Sequence, residues 1–169
     1  EPDLASDGYE FRPSPYRVAS GSYLIEPDAT AASYFLSLPI GADGQVTVEG
    51  FTEEGILQGD LAYHKVLQQI GLGIHFEEDG LRAVTLSEPL RGGRFDFNAI
   101  SDTFLTLAAL APLLSEPTTI RGIAHTRKQE TDRVSAMATE LGKLGQEVEE
   151  AEDTLTIRPN KEALVQAAH

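Results

Sequence analysis

The chain of 169 residues contains no cysteine and no tryptophan. Without cysteine it has neither a disulfide framework nor a thiolate nucleophile, which fits a reducing compartment, and we expect a cytoplasmic protein. Basic residues are scarce as well, with 13 lysines and arginines against 27 acids and a formal net charge of -14. Because nucleic acids are bound by basic surfaces, this charge argues against a nucleic-acid partner. An anionic small molecule would need basic residues gathered at one place.

Other absences argue against a membrane protein, a secreted protein and a metal site. No apolar run approaches the roughly 20 residues of a membrane helix, and no signal-peptide pattern opens the chain, so we expect no membrane association. The chain has few histidines, and their scattered positions show no metal-ligand spacing, so no metal is predicted; they are His64, His75, His125 and His169. With 41% hydrophobic residues the chain has enough apolar surface to fold around a core.

An internal repeat organises the sequence. Two segments can be overlaid, and aspartate and glycine positions recur in the same order: Asp28 with Asp102, Gly50 with Gly122, Asp60 with Asp132, Gly71 with Gly145 and Asp79 with Asp153. We therefore predict a connecting segment over residues 1–20, a first unit over 21–93 and a second unit over 94–169. Together they would make one partial lobe of a two-lobe enzyme.

Each unit is predicted to have the element order βαβαββ. A strand (GSYLIEP or RFDFNAI) leads into an apolar helix (ATAASYFLSL or TFLTLAALA) that ends near Pro39 or Pro112. A second strand and an amphipathic helix follow, and a hairpin with a turn at Asp79-Gly80 or Asp153-Thr154 closes the unit. In the second unit the amphipathic helix carries an apolar stripe: Val134, Met137, Ala138, Leu141 and Leu144. Because the first helices are apolar nearly all round, we expect them to be buried on every side, in an α/β (α+β) fold with helices inside.

Charged residues crowd the start of the second unit's amphipathic helix, in the run TRKQETDRVSAM. Glu130 and Arg133 are three residues apart, so they would share one face of the helix that they open. A helix N-terminus and an arginine fork can bind an anion. Spacing alone, however, favours an ordinary arrangement in which the acids complement the helix dipole and Arg133 pairs with Glu130. Asp102, at the head of an apolar helix, is by spacing alone an N-cap like Asp28.

Several motifs together resemble the 3-phosphoshikimate 1-carboxyvinyltransferase (EPSP synthase) family. The run ETDRVSAMATELGKLGQEVEE is similar to that family's R-x-K-E-T-D-R signature and its continuation. EPDATAASYFL, LQGD and SDTFLTLAALA resemble further motifs of the family in the same order. The resemblance implies an inside-out α/β barrel of repeated βαβαββ units, of the EPSP synthase and enolpyruvyl transferase type.

The resemblance also implies an activity and roles for particular residues. The family transfers the enolpyruvyl group of phosphoenolpyruvate to the 5-hydroxyl of shikimate 3-phosphate in aromatic amino acid biosynthesis, with no metal or organic cofactor. Asp102 matches the aspartate that binds the shikimate ring and is the favoured base. Glu130 matches the glutamate that moves protons at the methylene carbon. Arg133 matches an arginine that clamps phosphoenolpyruvate, where glyphosate competes.

The chain departs from the family pattern next to this run. The usual lysine before ETDR is replaced by Gln129, so either Gln129 contributes a neutral hydrogen bond to the shikimate ring or Lys128 reaches across. The usual Asn-Trp-Arg is replaced by His125-Thr126-Arg127, and His125 is either a ring ligand or a plain loop residue.

The resemblance implies a partner lobe that holds most of the phosphate-binding cations. We therefore expect this chain to be an inactive fragment of an enzyme that is monomeric at full length. Exposed apolar residues would favour self-association of the fragment, and we expect them at Phe95, Phe97, Leu113 and Leu114. The alternatives are a non-catalytic anion-binding or interaction domain, a UDP-N-acetylglucosamine enolpyruvyl transferase, and an RNA 3'-terminal phosphate cyclase.

Overall fold

The computed structural model describes residues 12–15, 17–18, 20–53, 56–86 and 89–167. The first unit contains α1 (Ala29–Leu36), α2 (Leu38–Gly41), β1 (Gln45–Glu49), α3 (Tyr63–Ile70), β2 (Gly73–Phe76) and β3 (Gly80–Val84). The second contains β4 (Arg94–Asp96), α4 (Phe104–Leu110), β5 (Thr118–Arg121), α5 (Arg133–Lys143), β6 (Glu147–Glu150), β7 (Thr154–Arg158) and α6 (Lys161–Ala167). Most of the predicted connecting segment, residues 1–20, lies outside the described residues.

Each unit has its own sheet. The first is three-stranded with the order β1-β3-β2, and both strand pairs are antiparallel. The second is four-stranded with the order β4-β5-β7-β6, in which β4 and β5 run parallel and the other pairs are antiparallel. The second unit therefore has the predicted βαβαββ order, and α6 follows it.

The strand predicted over residues 21–27 is wrong, because the structure has no strand there. Tyr23, Leu24 and Ile25 are 74%, 93% and 81% exposed. In the second unit the corresponding strand, β4, pairs with β5. The first unit's segment makes no such ladder with β1 in the described part of the chain. A strand is stable only when its backbone groups are paired, so an apolar sequence alone did not produce one here.

The predicted helix breaks and hairpins are confirmed. Pro39 lies in the first turn of α2, directly after α1 ends, and Pro112 lies in the 3-10 helix that follows α4. The first hairpin turns over Glu77–Gly80 and the second over Ala151–Thr154, each closed by a backbone hydrogen bond between its end residues. Both turns lie within a residue or two of the predicted positions.

The prediction that both first helices are buried on every side holds better for α4 than for α1. Within α4, Phe104, Leu107 and Ala108 are fully buried. In α1, however, Tyr34 and Phe35 are each 56% exposed. Periodicity shows that a helix is apolar all round, but only a packed neighbour buries a given face, and the described residues supply none for this side of α1.

The two units share one core. The Tyr63 side chain of the first unit is buried, its hydroxyl lies 3.0 Å from the Ser37 hydroxyl, and its ring centroid lies 6.3 Å from that of Phe97 in the second unit. Burial raises the pKa of Tyr63. The hydroxyl groups of Ser33 on α1 and Thr106 on α4 lie 2.9 Å apart in the interior. The Ser33–Thr106 contact joins the two apolar helices, and the Tyr63–Phe97 contact joins the two units elsewhere in the core.

Two expectations about exposure are corrected by the packing. Of the residues expected to be exposed and adhesive, Phe95, Phe97 and Leu114 are buried, and only Leu113, at 37%, is exposed. In the apolar stripe of α5, Val134 and Leu141 are buried and Met137 and Ala138 are half-buried, but Leu144 lies beyond the helix end and is 42% exposed. No helix in the described part of the chain is long and apolar enough to cross a bilayer.

The glycines that the repeat aligned have matching backbone conformations. Gly50 and Gly122 follow the strands β1 and β5 with φ of 83° and 78°. Gly71 and Gly145 end the helices α3 and α5 with φ of 116° and 74°. Because this region disfavours residues with a Cβ, these glycines mark the same turns in each unit.

Candidate active site

Helix α5 begins at Arg133, and its N-cap is Asp132. The Asp132 carboxylate accepts a hydrogen bond from the Ser135 backbone N–H at 2.9 Å. Glu130 therefore precedes the helix instead of opening it, which corrects the sequence prediction. The Ser135 N–H lowers the pKa of Asp132, and Arg127 acts in the same direction. The helix start that was considered for a bound anion is thus occupied by a carboxylate of the chain itself.

Arg133 connects the two predicted catalytic carboxylates. Its Nη1 donates to Asp102 Oδ1 at 2.9 Å, and its Nη2 donates to Glu130 Oε2 at 2.9 Å. The Arg133 side chain is only 22% exposed, whereas those of Asp102 and Glu130 are 52% and 80% exposed. One arginine fork therefore places two solvent-accessible carboxylates next to each other, although 28 positions separate them in the sequence.

The capping interpretation of Asp102 is wrong. Asp102 lies inside the 3-10 helix Ser101–Thr103, and the N-cap of α4 is Thr103, which makes no side-chain capping bond. Asp28, its counterpart in the first unit, does cap α1 and accepts from the Ala31 N–H at 2.9 Å. The Asp102 carboxylate is therefore free of the local backbone, and its ion pair is with Arg133.

Glu130 is held in its charged form. Its own backbone N–H lowers its pKa, and the hydrogen bond and charge of Arg133 lower it further. An acid whose pKa lies below its ordinary value is ionised at neutral pH, so Glu130 begins as a base or a carboxylate ligand.

A cavity of about 490 Å³ lies beside Asp102 and Arg133 and spans both units. Thr30 and Tyr34 line it from α1. The rest of the lining belongs to the second unit and consists of Asp102, Leu105, Thr131, Arg133, Ala136, Met137 and Glu140. The wall thus combines a cation and carboxylates with apolar groups, the mixture typical of a small-molecule site.

The first-unit motifs position the α1 side of this cavity. Gln58, from LQGD, accepts from the Ala29 N–H at 2.8 Å and donates to the Pro27 carbonyl at 2.7 Å. The Thr30 hydroxyl donates to the Asp60 carboxylate. EPDAT and LQGD, which are distant in sequence, therefore join at the start of α1 and hold Thr30 in the cavity wall.

Arg127 matches the first arginine of the R-x-K-E-T-D-R signature, but the sequence predicts no role for it. Its guanidinium donates to the carboxylates of Asp132 and Glu150, at 2.9 and 2.7 Å, and to the backbone carbonyls of Ala151 and Glu152. Only 18% of the side chain is exposed. Arg127 thus ties the segment that carries Glu130 to the β6–β7 hairpin. Its presence in the motif was the one sequence signal for this role.

The other predicted binding residues lie on the segment before Glu130 and not in the cavity wall. His125 and Lys128 belong to the 3-10 helix Ala124–Lys128, Gln129 follows it, and all three are exposed. Lys128 and Gln129 form no side-chain hydrogen bond or ion pair with described residues. His125 lies close enough to Asp153 to help lower the pKa of that carboxyl, after the larger effect of the backbone N–H groups, chiefly that of Ala124. No cluster of three or more potential metal ligands occurs among the described residues.

The chain matches the family model described as EPSP synthase (3-phosphoshikimate 1-carboxyvinyltransferase) over residues 5–169. It is 46% identical to the 3-phosphoshikimate 1-carboxyvinyltransferase of Opitutus terrae over 156 residues, which are 92% of this chain and 33% of that protein. Its identity with the enzyme of the same name from Nostoc punctiforme is 43%, over 85% of this chain and 33% of that protein. The chain therefore spans about a third of the length of these relatives.

Solved structures show the same fold. The EPSP synthase of Acinetobacter baumannii superposes with a TM-score of 0.64 at 22% identity, covering 78% of this chain and 32% of that one. The enolpyruvyl transferase NikO of Streptomyces tendae superposes with a TM-score of 0.58 at 20% identity, covering 80% of this chain and 31% of that one. The inside-out α/β fold of repeated units is therefore confirmed, and by its sequence match the chain belongs to the EPSP synthase family.

Proposed function

We propose that this chain carries part of the active site of a 3-phosphoshikimate 1-carboxyvinyltransferase, which moves the enolpyruvyl group of phosphoenolpyruvate to the 5-hydroxyl of shikimate 3-phosphate. Family membership supports the reaction class. The observation that carries the proposal is the Arg133 fork, which holds Asp102 and Glu130 together beside the cavity at 2.9 Å each. The reaction needs a base, a group that carries protons at the methylene carbon and a cation, and we assign these roles to Asp102, Glu130 and Arg133.

Asp102 is the proposed base. It is half exposed and free of the helix backbone, so its second oxygen can accept hydrogen bonds from ring hydroxyl groups of shikimate 3-phosphate. It takes the proton from the 5-hydroxyl while that oxygen bonds to C2 of phosphoenolpyruvate. Glu130, once it has been protonated from solvent, adds its proton to the methylene carbon C3, and this completes a tetrahedral intermediate. Loss of a proton from the resulting methyl group and expulsion of phosphate restore the double bond and release the product.

Glu130 is the proposed proton carrier at C3. Its pKa is low while Arg133 pairs with it, so it must gain a proton before it can act as an acid. When phosphoenolpyruvate binds, its negative charges compete for Arg133. Losing this cation and gaining an anionic neighbour both raise the pKa of Glu130. Substrate binding itself would thus prepare Glu130 for protonation, and the same group can take the proton back in the elimination step.

Arg133 is the proposed clamp for phosphoenolpyruvate. A planar guanidinium matches carboxylate and phosphate oxygens, and Arg133 is held at a cavity wall instead of extending into solvent. Exchange of its two carboxylate partners for substrate oxygens keeps its hydrogen-bonding capacity satisfied. Glyphosate, which carries a carboxylate and a phosphonate, would compete at the same fork.

We also propose that the segment before Glu130 contacts the shikimate ring, through His125 and through either Gln129 or Lys128. All three side chains are exposed next to Glu130 in sequence. The two alternatives have different consequences. If Lys128 makes the contact, Lys128→Gln raises KM for shikimate 3-phosphate and Gln129→Ala does not. If Gln129 makes it, the order is reversed.

The decisive experiment measures phosphate release from phosphoenolpyruvate with shikimate 3-phosphate, in the protein as its gene encodes it. UDP-N-acetylglucosamine serves as the competing acceptor, and we expect turnover only with shikimate 3-phosphate. Glu130→Gln should lower kcat by about 10²- to 10⁴-fold, the usual range for loss of a general acid-base group. Glu147→Gln is the matched control, because Glu147 pairs with Arg158 on the sheet and should leave the rate unchanged. Wild-type turnover by the Glu130 variant would exclude its proposed role.

A further inference from the structure

A second cavity, of about 560 Å³, opens along the boundary between the two units. One wall is the exposed side of α3, and the other is β4 with the loop after it and the end of β5. It shares no lining residue with the cavity beside Arg133. Nothing in the proposed transfer reaction uses it.

This cavity concentrates positive charge in an acidic chain. Lys65, Arg94 and Arg121 line it, and the one acid in its lining is Asp96. Three of the chain's 13 basic residues therefore meet here, although its formal net charge is -14. Like charges repel one another, so this grouping is unfavourable unless an anion lies between them.

The arginine at the end of β5 pairs with a carboxylate of the neighbouring strand. Arg121 and Asp96 are register partners across the parallel β4–β5 pair, and Arg121 Nη2 lies 3.1 Å from Asp96 Oδ2. The other oxygen of Asp96 accepts from the Asn98 N–H at 3.0 Å, so the carboxylate is itself fixed. Only Nη2 of Arg121 is engaged, which leaves the rest of its fork available to a ligand.

The other two cations are available as well. Lys65 and Arg94 are exposed and form no hydrogen bond or ion pair with any residue that the structure describes. The lining between the cations includes the apolar residues Val66, Phe95 and Ile100, whose side chains lie at the edge of the core. A cationic rim over an apolar floor suits a ligand with an anionic group and a nonpolar body.

We propose that this cavity is a binding site for a small molecule that carries a phosphate or carboxylate group on an apolar body. Lys65 and Arg94 bind the anionic group together with the free N–H groups of Arg121. Val66 and Ile100 contact the apolar part. The site is independent of the proposed catalytic residues.

Phenyl phosphate is the probe, titrated into the protein as its gene encodes it and followed by calorimetry and by two-dimensional NMR. We expect saturable binding, with shifts of amide signals around Lys65 and Arg94. Inorganic phosphate should bind more weakly because it lacks the apolar body, and added salt should weaken both. Benzoate in place of phenyl phosphate shows whether the site prefers a carboxylate or a phosphate. Absence of saturable binding by both aromatic anions would overturn the proposal.

The Lys65→Gln/Arg94→Gln double variant should bind phenyl phosphate about tenfold more weakly, a loss of about 1.4 kcal/mol. The matched control is Lys143→Gln/Arg158→Gln, which removes the same charge from exposed positions outside this cavity. Equal weakening in both would mean that only net charge matters and would refute the site. Arg133→Gln should leave binding unchanged, and a loss there would place the probe in the other cavity. All three variants are checked by circular dichroism. If the Lys65→Gln/Arg94→Gln variant does not fold, Lys65→Gln alone should give a smaller loss of binding.

Discussion

Apart from the strand that the first unit lacks, the two units have similar orders of elements, but they join their helices with different chemistry. In the first unit, the start of α1 is held by the neutral side chain of Gln58 and by the bond between Thr30 and Asp60. In the second unit, the corresponding place has Arg133 bonded to Asp102 and Glu130. In the first unit the polar groups are used in hydrogen bonds that fix the fold, whereas in the second unit charged groups remain exposed at a cavity. This difference explains why the proposed chemistry belongs to the second unit.

The equivalent aspartates give the largest expected contrast. Asp102→Asn should lower turnover by about 10²- to 10⁴-fold, because an amide cannot take the hydroxyl proton, with little change in melting temperature. Asp28→Ala should do the reverse, costing about 1 kcal/mol of stability through the lost cap of α1. The measurements are steady-state rates and thermal unfolding of the protein as its gene encodes it. If both variants lost only stability, Asp102 would be structural after all.

The junction residues Arg133 and Gln58 provide the next test. Arg133→Gln should reduce kcat/KM for phosphoenolpyruvate by about 10²- to 10³-fold, in line with loss of one preorganised donor. Arg133→Lys should recover only part of this, since it keeps the charge but not the fork. Gln58→Ala should instead cost about 1–3 kcal/mol, because it leaves the Ala29 N–H without its acceptor. Similar losses of activity in the two variants would argue against the functional difference between the units.

Low pH should affect the two units differently, and this difference is smaller than those above. In the second unit the Gly122 and Ala124 N–H groups donate to the Asp153 carboxylate, at 3.1 and 2.9 Å, and the pKa of Asp153 is lowered, chiefly by the Ala124 N–H. In the first unit, Gly50 donates to the backbone carbonyl of Asp79 at 3.1 Å, and a carbonyl does not titrate.

A lowered carboxyl pKa stabilises the fold above the unfolded value, about 3.9, and this contribution is lost as pH falls through the lower folded value. Below about pH 4 the NMR signals of Gly122 and Ala124 should therefore shift, while that of Gly50 does not. Asp153→Asn should abolish the pH dependence. Equal shifts in both loops would contradict the distinction.

The smallest effect is expected from the exposed ion pair of α5. Lys143 donates to Glu140 at 2.6 Å, but the two side chains are 64% and 66% exposed. Solvent screens such a pair, so Lys143→Gln should change the free energy of unfolding by no more than about 0.5 kcal/mol and leave turnover unchanged. Chemical denaturation measures this difference. A larger loss would mean that the second unit depends on surface charge for stability and not only for its site.

Much of the fold could be predicted because its signals are local or periodic. The glycines after β1 and β5 and at the ends of α3 and α5 need a positive φ, and the prolines Pro39 and Pro112 mark helix ends whatever the surroundings. The strand expected over residues 21–27 failed for the opposite reason, because a strand requires a partner elsewhere in the chain. Exposure of Tyr34 and burial of Phe97 likewise depend on neighbours that periodicity does not identify.

The sequence by itself determined the repeat, the family and the order of elements except for the first strand, because these depend on residue spacing and on matched motifs. It also placed Asp102, Glu130 and Arg133 among the candidates. The cap that the sequence predicts at Asp28 is present, but only the tertiary structure decided that Asp102 instead meets Arg133, which lies 31 positions away. The physical reason is the distance along the chain between the groups that interact. A cap bonds to backbone within three residues, so it forms locally. The Asp102–Arg133 pair exists only after α4 and α5 have packed together.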